Sequence, residues 1–173
     1  MGLRKASSYS KKYTRPNTRV SRKKSKSYVK VVPHNKIVKY TLGTPGNYPF
    51  KLKLITTEGV QVRDNALESC RMILTKQMDT GAPGDFCLKI IPYPHHIIRE
   101  NKTAAGAGAD RLSKGMTQAF GVAIGRSAIV SAGDSIAEIS CANDKAVKVA
   151  RAAMAMAKAK VPSRTQVVFE KLN

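Results

Sequence analysis

Hydrophobic and polar residues alternate along several short stretches of the chain, which predicts β-strands. The clearest case is the stretch 50–57, where Lys51 and Lys53 alternate with Leu52 and Leu54. This alternation predicts half-buried strands whose polar face is uniformly basic. The other predicted strands are residues 28–32, 36–42, 86–91, 122–130, 135–141 and 165–169.

Two longer segments carry apolar residues every three or four positions, which is typical of amphipathic helices. The first covers residues 65–78, with Asp64 or Asn65 as its candidate cap. The second covers residues 143–160 and ends before Pro162, and its methionines Met154 and Met156 are interpreted as core residues. The apolar stripe of the first helix consists of Leu67, Cys70, Leu74 and Met78.

The order of these elements indicates the fold class. Strands and helices do not strictly alternate, so we expect an α+β domain in which two helices pack on mostly antiparallel strands. Residues 28–173 are predicted to form this single domain. Residues 1–27 are predicted to form a basic N-terminal extension, and residues 101–119 a long protruding loop rich in glycine and alanine.

The charge of the chain is high and unevenly distributed. The formal net charge is +20, and residues 1–57 contain no acidic residue, since Glu58 is the first carboxylate. Such an excess attracts polyanions by counterion release, which favours nucleic acid as the partner. A solvated tail or a targeting signal remains an alternative for the extension. Its candidate RNA-binding residues are Arg4, Lys11, Lys12, Arg15, Arg19, Arg22, Lys23, Lys24 and Lys26.

Other cellular settings are less consistent with this sequence. No segment approaches the roughly 20 apolar residues that span a bilayer, and the N-terminus lacks the apolar core of a signal peptide. We therefore expect no membrane partner. The three cysteines, Cys70, Cys87 and Cys141, are far apart and lie in apolar segments, so we expect buried reduced thiols in a cytoplasmic protein.

The glycine- and alanine-rich loop is the most distinctive stretch. Its small residues let the backbone approach a bulky partner closely. Positive charges flank the small residues on both sides, which suits insertion against a polyanion. The predicted tip is Ala105, Gly106, Ala107 and Gly108, and the flanking candidate RNA-binding residues are His95, Arg99, Lys102, Arg111, Lys114 and Arg126.

The same stretch does not fit a catalytic or cofactor site. Arg111 stands where a dinucleotide fingerprint beginning at Gly106 needs its third glycine, and no glycine has the spacing of a phosphate-binding loop. In an extended segment His95 and His96 point to opposite faces, so they do not clamp one metal ion. We therefore expect no catalytic residues, no cofactor and no metal site.

One longer motif resembles a known family. The residues 107–112 (AGADRL), Gly115-Met116 and 119–121 (AFG), together with Pro94-His95 and 98–102 upstream, closely resemble the signature of a large-subunit ribosomal protein. It is the archaeal and eukaryotic protein ten-e, equivalent to bacterial large-subunit protein sixteen. The resemblance covers nearly the whole chain. The length of the chain is closer to that of the archaeal form.

The resemblance implies a fold and a role. The fold would be a two-layer α/β sandwich of the hammerhead type. The protein would be a structural constituent of the cytoplasmic large ribosomal subunit, bound to its rRNA near the central protuberance and lining the aminoacyl-tRNA corridor. The loop would reach towards the peptidyl-transferase region. The implied partners are rRNA, neighbouring ribosomal proteins and, transiently, tRNA, without homo-oligomerisation.

Two other functions remain open at the level of sequence. A ribosome-assembly factor or free-standing RNA chaperone would have the same composition as a resident ribosomal protein. An RNA-modifying enzyme would need a cofactor pocket or a catalytic set of residues.

Overall fold

A computed structural model of the chain describes residues 16–18, 23, 25, 29–101, 107–108, 111, 115 and 121–172. These residues form eight strands and two helices. In chain order they are β1 (Thr41–Gly43), β2 (Phe50–Thr56), β3 (Val60–Arg63), α1 (Asp64–Gly81), β4 (Phe86–Ile90), β5 (His96–Glu100), β6 (Val122–Val130), β7 (Ser135–Cys141), α2 (Asp144–Lys158) and β8 (Thr165–Lys171).

The larger sheet has five strands in the order β1-β4-β7-β2-β8, and every neighbouring pair is antiparallel. Leu52 and Leu54 of β2 are fully buried, as their alternation with lysine predicts. Both helices contact this sheet, and their buried stripes belong to the same core as its apolar face. The predicted α+β domain with two helices on antiparallel strands is confirmed, and its layers are compatible with an α/β sandwich.

The two helices pack closely because small residues line their contact. The four alanines of α2 at 146, 150, 153 and 157 are at most 1% exposed. Gly81 ends α1 beside Val149, so closely that a Cβ on Gly81 would lie 2.6 Å from Cγ1 of Val149. Met154 is buried as predicted, whereas Met156 is 47% exposed, so its interpretation as a core residue is wrong.

The smaller sheet has three strands in the order β3-β6-β5. Its central strand is the predicted 122–130 segment, but β3 and β5 were not predicted. All four residues of β3 are buried, so its alternation of apolar and polar residues (VQVR) does not correspond to a buried and an exposed face. The register aligns Arg63, Ser127 and His96 in one row across the three strands. Each of them is at most 8% exposed, which makes this a buried polar row.

The segment before the larger sheet differs from its prediction. Within residues 29–43 only Thr41–Gly43 forms a strand, so the strands predicted at 28–32 and 36–42 are wrong or too long. Val31 and Val38 are 77% and 79% exposed, whereas Ile37 is buried. β-branched residues form a strand only where the edge of another strand is available for pairing. Here only Thr41–Gly43 pairs with the edge of β4, so the strand is three residues long.

The start of α1 also differs from its prediction. The cap position is Arg63, whose side chain makes no capping hydrogen bond. Asp64 is the first helical residue, and its Oδ2 accepts a hydrogen bond from the backbone N–H of Lys36 over 3.0 Å. Its Oδ1 accepts from the N–H of Asn65 over 2.9 Å, so the carboxylate ties the preceding segment to the first turn of the helix.

Candidate nucleic-acid interface

The long loop departs from and returns to adjacent strands of the smaller sheet. Its last strand pair joins Glu100 of β5 to Val122 of β6. A Cβ on Gly121 would lie 2.9 Å from the carbonyl oxygen of Glu100, a contact that real side chains essentially never make. The two ends of the loop therefore converge at a base where only glycine fits at position 121.

Three of the predicted RNA-binding residues lie in or next to the two strands that carry the loop. His95 directly precedes β5, Arg99 lies within β5, and Arg126 lies in β6 opposite Ile97. His95 and Arg99 are exposed, and Arg126 is partly buried. The register shifts between Ile98 and Arg99, and such a bulge re-aims side chains locally.

Arg126 is also a structural residue. Its Nε donates to the carbonyl oxygen of Pro33 over 2.7 Å, and its Nη1 lies 3.4 Å from the hydroxyl oxygen of Tyr93. The guanidinium thus connects β6 to the segment before β1 and to the link between β4 and β5. Its charge is therefore held at a defined position on the smaller sheet.

Tyr93 is a candidate contact residue that the sequence reasoning missed. Its ring is 53% exposed, packs 5.8 Å from the ring of Tyr40, and its carbonyl oxygen lies 2.9 Å from Nδ1 of His95. An exposed aromatic ring beside fixed cations can stack on an unpaired base. The available signal was the placement of Tyr93 between Pro92 and Pro94, directly before His95.

The N-terminal extension touches the same sheet. The backbone N–H of Asn17 donates to Nδ1 of His96 over 2.8 Å, and the N–H of Ile97 donates to the carbonyl oxygen of Asn17 over 3.1 Å. His96 is 2% exposed whereas His95 is exposed, so the two side chains take opposite faces as predicted. Burial lowers the pKa of His96 to about 4, with a further contribution from the positive charges of His95 and Arg99. Its imidazole is therefore neutral, as an acceptor at Nδ1 requires.

Four more predicted site residues are described. Lys23, Ala107, Gly108 and Arg111 are exposed. Gly108 has a φ of +80°, which L-amino acids with a side chain rarely adopt, and its carbonyl oxygen accepts from the N–H of Arg111 over 3.0 Å. The predicted residues outside the described part of the chain are Arg4, Lys11, Lys12, Arg15, Arg19, Arg22, Lys24, Lys26, Lys102, Ala105, Gly106 and Lys114.

The polar face of β2 is not the basic surface that its lysines suggest. Lys51 Nζ lies 2.7 Å from Glu138 of β7, and Lys53 Nζ lies 2.7 Å from Glu170 of β8. The hydrogen bond to Glu170 raises the pKa of Lys53. The prediction of a uniformly basic face is therefore wrong, because neighbouring strands supply matching carboxylates.

Other chemistry has little support in the described residues. Within 29–101 and 121–172 and the shorter described stretches, no group of three or more His, Cys, Asp or Glu side chains could hold a metal ion. None of the described helices is long and apolar enough to cross a membrane. Cys70, Cys87 and Cys141 are buried free thiols, as predicted.

An α+β domain with exposed cations on the strands that carry a loop of small residues has the features of a basic RNA-binding protein. Comparison with known proteins identifies the family within this class. Residues 16–168 match the family model described as ribosomal protein L16p/L10e, and the chain belongs to this family of large-subunit ribosomal proteins. It is accordingly a structural protein of the large ribosomal subunit in the cytoplasm, and not an enzyme.

Several archaeal proteins are similar to the chain. It is 41% identical over 145 residues to the large ribosomal subunit protein uL16 of Saccharolobus islandicus (strain L.S.2.15 / Lassen #1), covering 82% of each chain. The uL16 protein of Saccharolobus solfataricus is likewise 41% identical, over 146 residues. The uL16 protein of Staphylothermus marinus is 39% identical over 174 residues, covering 99% of this chain and 96% of the relative.

Proposed function

We propose that this chain binds large-subunit rRNA near the central protuberance and helps to shape the aminoacyl-tRNA corridor. In this proposal the loop 101–119 reaches towards the peptidyl-transferase region and contacts tRNA transiently. The extension 1–27 neutralises rRNA phosphates, and the protein acts as a single copy among neighbouring ribosomal proteins. Family membership and the geometry of the smaller sheet support this role.

The observation that carries the proposal is that extension and loop meet on one sheet. Asn17 lies against β5, and the loop connects β5 to β6. RNA segments that approach this sheet would therefore contact both the extension and the loop. Recognition of this kind depends on phosphate positions and RNA shape, and on unpaired bases.

The exposed charges in the loop and beside its strands support the same proposal. His95, Arg99 and Arg111 are exposed. The lysines of β2, by contrast, are occupied by Glu138 and Glu170. We propose that phosphate contacts concentrate on the loop, the strands that carry it and the extension, and not on the open face of the larger sheet.

Sedimentation tests this proposal directly. A lysate is separated on a sucrose gradient at low and high salt, and the protein is quantified across the fractions. We expect about one copy per large subunit, retained in translating ribosomes. Presence only in immature particles would instead indicate an assembly factor, and a protein that stays at the top of the gradient at low salt would contradict the proposal.

The loop is tested by a side chain at Gly108. A Cβ there meets nothing within 4 Å, but the φ of +80° is unfavourable for valine. We expect Gly108→Val to fold and to impair subunit maturation or tRNA binding. Gly84→Val is the matched control, since Gly84 also has a φ of +80° and open space around its Cβ but lies outside the loop. Normal translation by subunits carrying Gly108→Val would contradict this role of the loop.

A further inference from the structure

The segment that precedes β1 is fixed to the domain although it contains no strand. Residues 30–40, the anchored segment, lie outside both the extension and the loop. The carbonyl oxygen of Pro33 accepts from Nε of Arg126 over 2.7 Å, and the backbone N–H of Lys36 donates to Oδ2 of Asp64 over 3.0 Å. The segment therefore follows one defined path, so little conformational entropy is lost when it binds a partner.

The anchored segment carries positive charge that is not paired within the described part of the chain. It contains no acidic residue, and its lysines take part in none of the salt bridges among the described residues. Asp64 contacts the backbone of the segment, but its carboxylate is 4% exposed and accepts from the N–H groups of Lys36 and Asn65. A cation of this kind releases about one counterion at a phosphate, which favours nucleic acid as the partner. The exposed lysines of the segment are Lys30, Lys36 and Lys39.

The ring of Tyr93 lies against the anchored segment. It packs 5.8 Å from the ring of Tyr40, and its hydroxyl oxygen lies 3.4 Å from Nη1 of Arg126. The hydroxyl oxygen of Tyr40 in turn accepts from Nδ2 of Asn35 over 3.0 Å. The Tyr93 ring is 53% exposed despite these contacts. An exposed ring that its neighbours hold in position is a stacking platform for an unpaired base.

Two of the lysines are close to this platform along the chain. Lys39 directly precedes Tyr40, and Lys36 directly follows Asn35. RNA uses both features, because its bases stack on the ring while its phosphates neutralise the lysines. A protein partner would cover the exposed apolar side chains of the segment but would have to supply a carboxylate for each lysine.

We propose that the anchored segment and Tyr93 bind an unpaired stretch of the large-subunit rRNA, with one base stacked on the ring of Tyr93 and the adjoining phosphates at Lys36 and Lys39. The inference rests on the proposed function, because it requires the chain to be bound to rRNA. It adds a third rRNA contact to those of the extension and the loop. It also gives a role to a segment whose lysines and exposed valines neither enter the core nor form a strand.

Two substitutions at Tyr93 test the position of the base. Tyr93→Leu and Tyr93→Phe both remove the hydroxyl group near Arg126, but only phenylalanine keeps an aromatic plane. The full-length variants are bound to large subunits from which the protein has been removed by high salt, and chemical probing reports the reactivity of each rRNA nucleotide. We expect an unpaired nucleotide to be protected by the wild-type chain and by Tyr93→Phe, but to be reactive with Tyr93→Leu. Rebinding of Tyr93→Leu should be weaker by roughly tenfold, as expected for the loss of one stacked base.

A pair of charge variants tests the phosphate contacts. The first variant carries Lys36→Gln and Lys39→Gln, and its control carries Lys145→Gln and Lys148→Gln. Each removes two exposed lysines, but the control lysines lie in the first two turns of α2, beside the end of α1 that is remote from the anchored segment. We expect the first variant to lower the salt slope of rebinding by about 1.4, since each phosphate contact on a single strand contributes about 0.7. The control should leave the slope nearly unchanged.

The outcomes separate this inference from the proposed function. If the wild-type chain rebinds but Tyr93→Leu protects the same nucleotides, or if the two charge variants lower the salt slope equally, the inference is wrong and the ribosomal role stands. If Tyr93→Leu releases a neighbouring protein without changing any nucleotide, the surface binds protein instead of RNA. If the wild-type chain does not rebind at all, the proposed function fails and this inference fails with it. Circular dichroism of each variant confirms that the fold is retained.

Discussion

The backbone N–H of Asn17 donates to Nδ1 of His96, which links two residues that are 79 positions apart in the chain. The bond attaches the basic extension to β5, one of the two strands that carry the loop. It also requires a neutral imidazole, and burial favours that form by lowering the pKa of His96 to about 4. A single buried histidine thus connects the position of the extension to the stability of the smaller sheet.

The stability of the protein should consequently depend on His96 in mild acid. The pKa of His96 is lower in the folded chain than the value of about 6.5 in the unfolded chain. Between these values the unfolded chain binds more protons, so the free energy of unfolding should fall by roughly 1–3 kcal/mol as the pH drops from about 6.5 to about 4. Below that range the contribution of His96 is constant.

Denaturant unfolding at several pH values measures this dependence. His96→Asn is the informative variant, since an asparagine oxygen can accept the hydrogen bond of Asn17 but does not titrate. We expect a flatter pH dependence for His96→Asn between pH 6.5 and 4. His34→Asn is the control, because it also removes an exposed histidine but does not contribute to the pKa shift of His96, and it should keep the wild-type slope. Equal slopes for wild type and His96→Asn would show that His96 does not titrate in this window.

The base of the loop should tolerate no side chain at Gly121. The Cβ of Gly121→Ala would lie 2.9 Å from the carbonyl oxygen and 3.0 Å from the carbonyl carbon of Glu100, and backbone atoms cannot rotate away. We expect a loss of about 1–3 kcal/mol in the free energy of unfolding, together with weaker rRNA binding. Gly115→Ala should change stability by less than about 0.5 kcal/mol, since its Cβ would meet open space. Thermal unfolding of the two variants compares them, and equal midpoints would argue against the close approach.

The elements that were predicted from sequence are those whose side chains alternate or repeat regularly. The strands β4 and β6 were predicted from short apolar runs that alternate less regularly, but β2, β7 and β8 and both helices fall in this group. In each, one face packs on the core and the other meets solvent or paired charges. Apolar and polar residues therefore follow a periodic pattern in the sequence.

The missed elements lack such a pattern for identifiable reasons. β3 is buried on both faces, so its sequence VQVR alternates in polarity but not in burial, and Gln61 and Arg63 join a buried polar row. β5 was interpreted as part of the approach to the loop, because His96 is polar and yet buried. Its strand character depends on β6 and on Asn17, which are far away in sequence.

The charged residues of the site could be predicted from the sequence, but their positions in the structure could not. The sequence indicated His95, Arg99 and Arg126, and the structure brings them to one sheet. The pairing of Lys51 with Glu138 could not be predicted, since it depends on the order of β7 and β2 in the sheet. Tyr93 was missed because its exposure follows from the path between β4 and β5.

The contact between Gly81 and Val149 should be measurable by a double-mutant cycle. A methyl group on Gly81 would lie 2.6 Å and 2.8 Å from the two γ-methyl carbons of Val149. We expect Gly81→Ala to destabilise the protein by about 1–3 kcal/mol through overpacking. In the Val149→Ala background the same change should cost less, because the clashing methyl groups are gone. If the free-energy changes of the two substitutions simply add in urea unfolding, the methyl groups do not clash and the two helices can move apart at this point.

The buried cysteines should resist alkylation in the folded protein. Burial raises the pKa of Cys70 to about 12 and that of Cys141 to about 11, so the reactive thiolate is scarce at pH 8. We expect iodoacetamide to modify neither residue until the chain is unfolded, as measured by mass spectrometry with and without denaturant. Labelling of Cys70 in native conditions would indicate that α1 opens locally.

Pairing within the chain should decide which cations contribute to rRNA binding. Lys53 donates to Glu170 over 2.7 Å, whereas Arg111 is exposed near the tip of the loop. An unneutralised cation at a phosphate displaces about one counterion, and a cation already paired with a carboxylate displaces few. We therefore expect Arg111→Gln to reduce the salt slope of rebinding to stripped large subunits by about one.

Lys53→Gln is the matched comparison, because it also removes one positive charge. It should leave the salt slope nearly unchanged. Its effect should be on stability instead, and should be modest, since surface ion pairs contribute about 0–1 kcal/mol. A salt slope reduced equally by both substitutions would mean that net charge alone governs binding. A slope reduced only by Arg111→Gln would mean that the strand order, which sets Lys53 beside Glu170, directs rRNA to the loop and away from the open face of the larger sheet.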